Sequence, residues 1–326
     1  MKIGVIGTSV ISEWLINTYK ECDQTILALY SRSLEKGNKF AKEHGIERVY
    51  TRIEDLMNDA DVEVIYVASP NSLHFEQAKM ALIHGKNVII EKPICSNEKE
   101  LNELIDLAHK KQLMFFEAMT ILHLPNYLEI KNRLEEIAPV RMIEVNYSQY
   151  SSRYDLLLQN KMTNIFDTRF SGGTLMDINI YCISFIVGLF GKPNKATYFA
   201  NKSHGIDVSG VAILEYDGFI ASSIGSKDND GKSFAQIQGE CGYIMVDSKP
   251  SRVASVELNI RNEFTEVVDL QSKENHYFYE ISDFIKCFEE KDYDRCEYFM
   301  QKSLEITKTL DMLRASAGIK FPADEK

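Results

Sequence analysis

Over the first 120 residues, short apolar runs alternate with segments whose apolar positions recur every three or four residues. This is the pattern of strands feeding helices in a parallel sheet. Residues 2–6, 25–30, 49–50, 62–68, 88–90 and 114–116 read as strands. Residues 10–22, 34–44, 53–58, 73–84 and 97–111 read as the helices between them. The run Val-Glu-Val-Ile-Tyr-Val-Ala at 62–68 is almost continuously β-branched or aromatic, as expected of a central strand. In 97–111, Leu101, Leu104, Ile105, Leu107 and Ala108 make one apolar stripe. Gly85 stands just past a helix end, where a C′ glycine is expected.

After Pro125 the pattern changes. Residues 127–137 read as a helix and 140–147 as an alternating strand. A loop of polar and aromatic residues spans 148–170, and 172–191 reads as a long apolar helix. Strands are then expected at 196–201, 208–216, 219–226, 233–238, 242–246, 253–258 and 266–270. Their hairpin spacing, with Asp217-Gly218 as a two-residue turn, predicts an open, mainly antiparallel sheet with helices on one face. Helices close the chain at 276–290 and 297–316. The fold class is therefore α/β, a Rossmann-like parallel sheet domain at 1–120, followed by an α+β domain at 121–326. The second domain is expected to carry substrate binding and dimerisation, and the C-terminal helices to pack back on the first.

A length of 326 residues fits two domains. The net charge of −11 argues against nucleic-acid and anionic-membrane partners, which need a basic surface. No pair among the six cysteines has C-x-x-C spacing, so free thiols and no metal are expected. The chain opens directly on a strand. No signal-peptide pattern and no apolar run long enough to span a bilayer are read, so a cytoplasmic location is expected.

The first strand runs into Gly7-Thr8-Ser9-Val10-Ile11. A dinucleotide fingerprint G-x-G-x-x-G/A aligns on Gly7, Ser9 and Ser12, with only the first glycine kept. Gly7 suits the tight turn, and the two serines are small enough to admit a pyrophosphate at the helix N-terminus. The second strand ends Tyr30-Ser31-Arg32-Ser33 without the acidic residue that would bind a ribose 2′-hydroxyl. Ser31, Arg32 and Lys36 suit a 2′-phosphate instead, so NADP(H) is preferred over NAD(H). Ser69, Pro70, Asn71 and His74 follow the central strand. Pro70 stiffens that loop, Asn71 is expected to cap the next helix, and His74 to act structurally on the cofactor side. Glu91-Lys92-Pro93 closes the run Val88-Ile89-Ile90 and puts a lysine at a parallel strand's C-terminal tip, where such sheets bind ligands. Asp177 and Tyr181, four apart in Gly172-Gly173-Thr174-Leu175-Met176-Asp177-Ile178-Asn179-Ile180-Tyr181, share one helix face.

Glu91-Lys92-Pro93 resembles the Glu-Lys-Pro motif of the Gfo/Idh/MocA family, the glucose–fructose oxidoreductase and inositol dehydrogenase relatives. The 172–181 segment is similar to the family's G-G-x-L-x-D-x-G-x-H/Y. Ser69–His74 resembles its T/S-P-N-x-x-H. Glu117-Ala118-Met119 with Pro125 is similar to the E-A-M-W-x-R-x-x-P of the dihydrodiol dehydrogenase-like branch, with Thr120 and Leu122 in place of Trp and Arg. Ser9 and Asn179 stand where the family has glycines. Asn179 is expected to narrow the pocket wall. The resemblance implies an NAD(P)-dependent dehydrogenase or reductase acting on CH–OH groups of a sugar, polyol or trans-dihydrodiol, and a homodimer. It implies Lys92, Asp177 and Tyr181 as the catalytic set, and places Glu91 and Lys92 beside the cofactor. Tyr147, Arg153, Tyr154 and Arg169 could contact a polyol or an anion. The rival reading is a catalytically silent NADP(H)-binding regulator on the same fold.

Overall fold

A computed structural model describes residues 1–325. The chain divides into two compact units, Met1–Ala118 with Tyr277–Leu304, and Met119–His276 with the chain from Glu305 onward.

The first unit contains β1 (Lys2–Ile6), α1 (Val10–Glu21), β2 (Thr25–Tyr30), α2 (Leu34–His44), β3 (Arg48–Tyr50), α3 (Ile53–Met57) and β4 (Val64–Val67). It continues through α4 (His74–Ile83), β5 (Asn87–Glu91), α5 (Glu98–Lys111) and β6 (Phe115–Ala118). All strands pair in parallel, in the order β3-β2-β1-β4-β5-β6. The order reverses between β1 and β4, and a doubly wound sheet opens a ligand crevice at such a switch. β4 is buried at every position because helices cover both sheet faces. Asn97 caps α5 by accepting the Glu100 N–H at 3.0 Å, and Gly85 is left-handed at φ 75°. The tail helix α9 (Tyr277–Glu290) brings Phe284 against Phe116 of β6, ring centroids 4.8 Å apart.

The second unit begins with α6 (Pro125–Arg133), β7 (Val140–Ser148), α7 (Ser152–Leu158) and α8 (Ile180–Phe190). Strands follow: β8 (Lys195–Ser203), β9 (Ile206–Tyr216), β10 (Phe219–Ser226), β11 (Phe234–Gly239), β12 (Gly242–Val246), β13 (Val256–Ile260) and β14 (Phe264–Val268). The last long helix, α10 (Tyr293–Ser316), belongs to the first unit up to Leu304 and to the second from Glu305. The eight strands form one sheet in the order β14-β13-β12-β11-β7-β10-β9-β8. β7 and β10 are parallel and every other neighbouring pair is antiparallel. The expected hairpin pairs Tyr216 with Phe219. α8 packs on β7 and β10.

Three sequence expectations change. The segment 148–170 is not all loop. α7 lies within it, capped by Ser151, and Leu157 enters a buried cluster with Phe166, Ile206 and Val208. Val253 is not in a strand. It is buried at φ +42°, with its carbonyl held by Asn126 and Gln271 at 2.8 and 2.7 Å. An apolar residue that anchors a turn has the same signature as one that starts a strand. Finally, the stretch Thr168–Phe190 is long and apolar enough to cross a membrane, with mean hydropathy 1.6. The protein's own fold buries 78% of that window, as befits a core helix that is apolar on all sides.

Candidate active site

In the first unit, Gly7 lies between β1 and α1 at φ +120°, and a Cβ there would meet the Ala68 carbonyl oxygen at 2.6 Å. Only glycine fits this approach of the β1 and β4 tips. Thr8 follows, and Ser9 is the N-cap of α1, which starts Val10-Ile11. Ser9 and Ser12, which replace fingerprint glycines, form a reciprocal capping box with both backbone-to-hydroxyl bonds at 3.3 Å. They therefore stabilise the helix start that a pyrophosphate would approach.

Past β2, Ser31 is buried and donates to the Ser33 carbonyl at 2.9 Å, while Ser33 caps α2 through the Lys36 N–H. Ser31 thus shapes the turn. Arg32 and the Lys36 side chain are exposed beside it. Past β4, Ser69 donates to Gln77 at 2.7 Å and Pro70 precedes a short 3₁₀ turn, Asn71–Leu73. Asn71 stands three residues ahead of the first residue of α4. It opens that turn, and Leu73 stands at the cap position. His74 is buried, with Nδ1 2.9 Å from the Pro93 carbonyl and Nε2 2.8 Å from that of Ser69. It ties the loop after β4 to the loop after β5, and burial pushes its pKa down.

Lys92 stands at the tip of β5, with a cis peptide to Pro93. Glu91 accepts from Tyr66 at 2.8 Å, and burial raises its carboxyl. Glu117 stands on β6 beside Ile90, and its residue type alone gives it no role. It is buried and accepts the Ile94 N–H at 3.0 Å, so it holds the segment that follows Lys92. Burial pushes its carboxyl up to about 7, against the pull of the Ser303 hydroxyl and the Ile94 N–H. The Glu91 charge raises it further and Lys92 lowers it.

In the second unit, residues 172–191 split into a wide π turn, Leu175–Asn179, and α8. Such turns recur at functional sites. Asp177 and Tyr181 are both half-buried, whereas Ile178, Asn179, Ile180 and Cys182 between and beside them are buried. The pair does share the outward side. Asp177 bonds the Lys227 ammonium. Tyr181 lies against Tyr147, ring centroids 5.9 Å apart, and Lys249 Nζ sits 5.7 Å from the Tyr147 centroid.

Asn179 does not line a pocket wall as expected. It is fully buried, accepts from Ser223, and fills the space over Gly225 of β10, where an added Cβ would meet its Cβ at 2.4 Å. Of the four side chains named in or beside the segment 148–170, Tyr147 of β7 lies against Tyr181. Tyr154 packs on Phe166 and Tyr150, and Arg169 binds Asp167 with contacts from 2.6 Å. The Arg153 side chain is exposed. Lys227 gave no sequence signal. In Ser226-Lys227-Asp228-Asn229-Asp230 it reads as a solvated turn lysine, yet it is 8% exposed. Among the described residues, no group of three His, Cys, Asp or Glu could hold a metal ion.

Residues 1–119 match an oxidoreductase family with an NAD-binding Rossmann fold, and residues 127–245 match the GFO/IDH/MocA C-terminal domain. The chain is 36% identical over 330 residues to the scyllo-inositol 2-dehydrogenase (NADP(+)) IolU of Bacillus subtilis, covering all of this chain and 99% of that protein. It is 31% identical over 226 residues to trans-1,2-dihydrobenzene-1,2-diol dehydrogenase of Xenopus laevis, covering 67% of this chain and 66% of that protein. Among solved structures, a levoglucosan dehydrogenase in complex with NADH and L-sorbose superimposes with a TM-score of 0.85. That match covers 98% of this chain and 97% of the other at 17% identity, so the likeness is one of fold.

Proposed function

The chain belongs to the GFO/IDH/MocA family and is an NAD(P)-dependent oxidoreductase acting on hydroxyl groups, and from that premise we propose that it is NADP-dependent and interconverts a carbinol and a carbonyl on a polyol, cyclitol, sugar or trans-dihydrodiol. The observation that carries the cofactor preference is the end of β2, where Arg32 is exposed and no carboxylate stands. The Gly7 turn, which leaves no room for a Cβ, and the capped start of α1 fit a dinucleotide's pyrophosphate. The similarity to an NADP-dependent scyllo-inositol dehydrogenase over the full length supports the same reading.

The nicotinamide, when bound, supplies the hydride donor or acceptor. The chain's own part is to orient the substrate and move a proton. In the second unit Tyr181 exchanges the proton with the substrate oxygen and Asp177 accepts a hydrogen bond from a substrate hydroxyl; in the first unit Lys92 offers its ammonium as an electrophile at the β5 tip.

Purified protein assayed with both cofactors against scyllo-inositol, other polyols, sugars and a trans-dihydrodiol tests this reading. Turnover with at least one of them, faster with NADP⁺ than with NAD⁺, is expected. Arg32→Ala is expected to weaken NADPH binding about tenfold or more, the scale of a lost charge-assisted hydrogen bond, and to weaken NADH binding far less. An unchanged ratio of the two affinities removes Arg32 from the site.

The proposal includes a homodimer through the second unit's sheet. On its outward face Met142 pairs with Ile220, and both are about half exposed. Phe199 is 64% exposed opposite Val211, with Ile213 and Ile224 on the same face. Apolar side chains on adjacent strands call for a cover. Light scattering at micromolar concentration is expected to read twice the chain mass. A single-chain mass refutes the dimer.

A further inference from the structure

Lys227 sits one residue past β10 and is fixed at both backbone ends. Its N–H donates to Val208 at 2.9 Å and its carbonyl accepts from Ser151, the cap of α7, at 3.0 Å. The side chain is 10% exposed and its ammonium bonds Asp177, itself 24% exposed. The next residue, Asp228, is engaged separately by the hydroxyls of Ser209 and Ser226 at 3.0 and 2.8 Å. Asp207, also near the helix start, accepts the Leu175 N–H at 2.7 Å and the Tyr198 hydroxyl at 3.1 Å. Each aspartate here thus has its own donors, and the one that Lys227 reaches is the one beside Tyr181.

A lysine is expensive to hold away from water, and a nearby carboxylate offsets that cost only with good geometry. This one joins the strand end to the turn that carries Asp177. We propose that Lys227 is a positioning residue of the reaction. Its ammonium holds the Asp177 carboxylate in place, so that Asp177 meets the substrate as an acceptor and selects a hydroxyl donor. This rests on the role given above to Asp177. It adds a residue outside every motif that carried the family resemblance.

The test is a double-mutant cycle with Lys227→Met, Asp177→Asn and the two combined, with Lys227→Arg as the conservative variant. It uses NADP⁺ and the best-turned-over compound of the panel, scyllo-inositol being assayed first. Lys227→Met is expected to raise the substrate KM about tenfold or more, with a smaller fall in kcat and unchanged NADPH affinity. The double variant is expected to be no worse than Asp177→Asn alone, and Lys227→Arg to recover most of the loss. A purely structural lysine would change NADPH binding and kcat together, and that result overturns the proposal. So does a double variant whose losses multiply, because Lys227 would then act independently of Asp177. If Asp177→Asn is silent while Lys227→Met is not, the role given to Asp177 falls and the inference falls with it. If the wild type turns over nothing in the panel, the substrate reading fails. The inference is then judged by the same cycle on thermal unfolding, where coupled losses support the pair and additive losses overturn it.

Discussion

Tyr181→Phe is expected to lower turnover about 10²–10⁴-fold, the usual contribution of a positioned general acid or base, while NADPH affinity stays near wild type. The substitution keeps the ring that lies 5.9 Å from Tyr147 and removes only the hydroxyl. Packing around α8 is therefore retained and the fall reports on proton exchange. Lys92→Met is expected to lower turnover as well, since it removes the charge at the β5 tip. Steady-state kinetics with NADPH titrated by fluorescence separates the two effects. Near-full turnover in Tyr181→Phe would make the tyrosine a packing residue and end the proposed proton relay.

Glu117→Gln is expected to make the protein more stable at pH 8 and to change it little at pH 5. Burial holds the Glu117 carboxyl at about 7 in the folded chain, against roughly 4.3 when unfolded. The folded state then binds the proton more tightly. Its contribution is complete below the unfolded value and is lost as pH rises through about 7. Across that window the loss is on the order of 3 kcal/mol. Glutamine keeps an oxygen for the Ile94 N–H, which Glu117 accepts at 3.0 Å, and carries no charge to bury. Asp207, held near 6 by burial, loses stability in the same direction, but it is present in both proteins and cancels in the difference. Urea unfolding at pH 5 and pH 8 measures the gap. If the gap between variant and wild type is equal at both pH values, Glu117 does not titrate in this window.

The motifs were legible because each is local. A lysine after Val88-Ile89-Ile90-Glu91 lies at a strand tip wherever the strand lies in the sheet. Gly7 was readable as the tight turn because its conformation belongs to its own residue. The spacing of Asp177 and Tyr181 put them on one side whether the helix started as an α or a π turn. Partners were not legible. Ser9 and Ser12 looked like degraded glycines, yet they cap each other, because the same three-residue spacing serves both purposes. Asn179 looked like a wall of the pocket and turned inward, because Gly225 on β10, 46 positions away, left the space that it fills.

The sequence by itself determined the two layered architectures, the order of strands feeding helices, and where the residues proposed for the chemistry, Gly7, Arg32, Lys92, Asp177 and Tyr181, stand on those elements. Those follow from periodicity and from residue types at short spacing, which any window of the chain displays. Only the tertiary structure decided which charges are buried and what they meet. Lys227 reads as a solvated turn residue until β9, β10 and the Asp177 turn enclose it, and Glu117 reads as one carboxylate among 48 acidic residues until β5 and β6 close over it. Burial is a property of the packed neighbours rather than of the residue. The desolvation that sets the acidity of Glu117 and the enclosure that pairs Lys227 with Asp177 arise only when distant segments exclude the water between them.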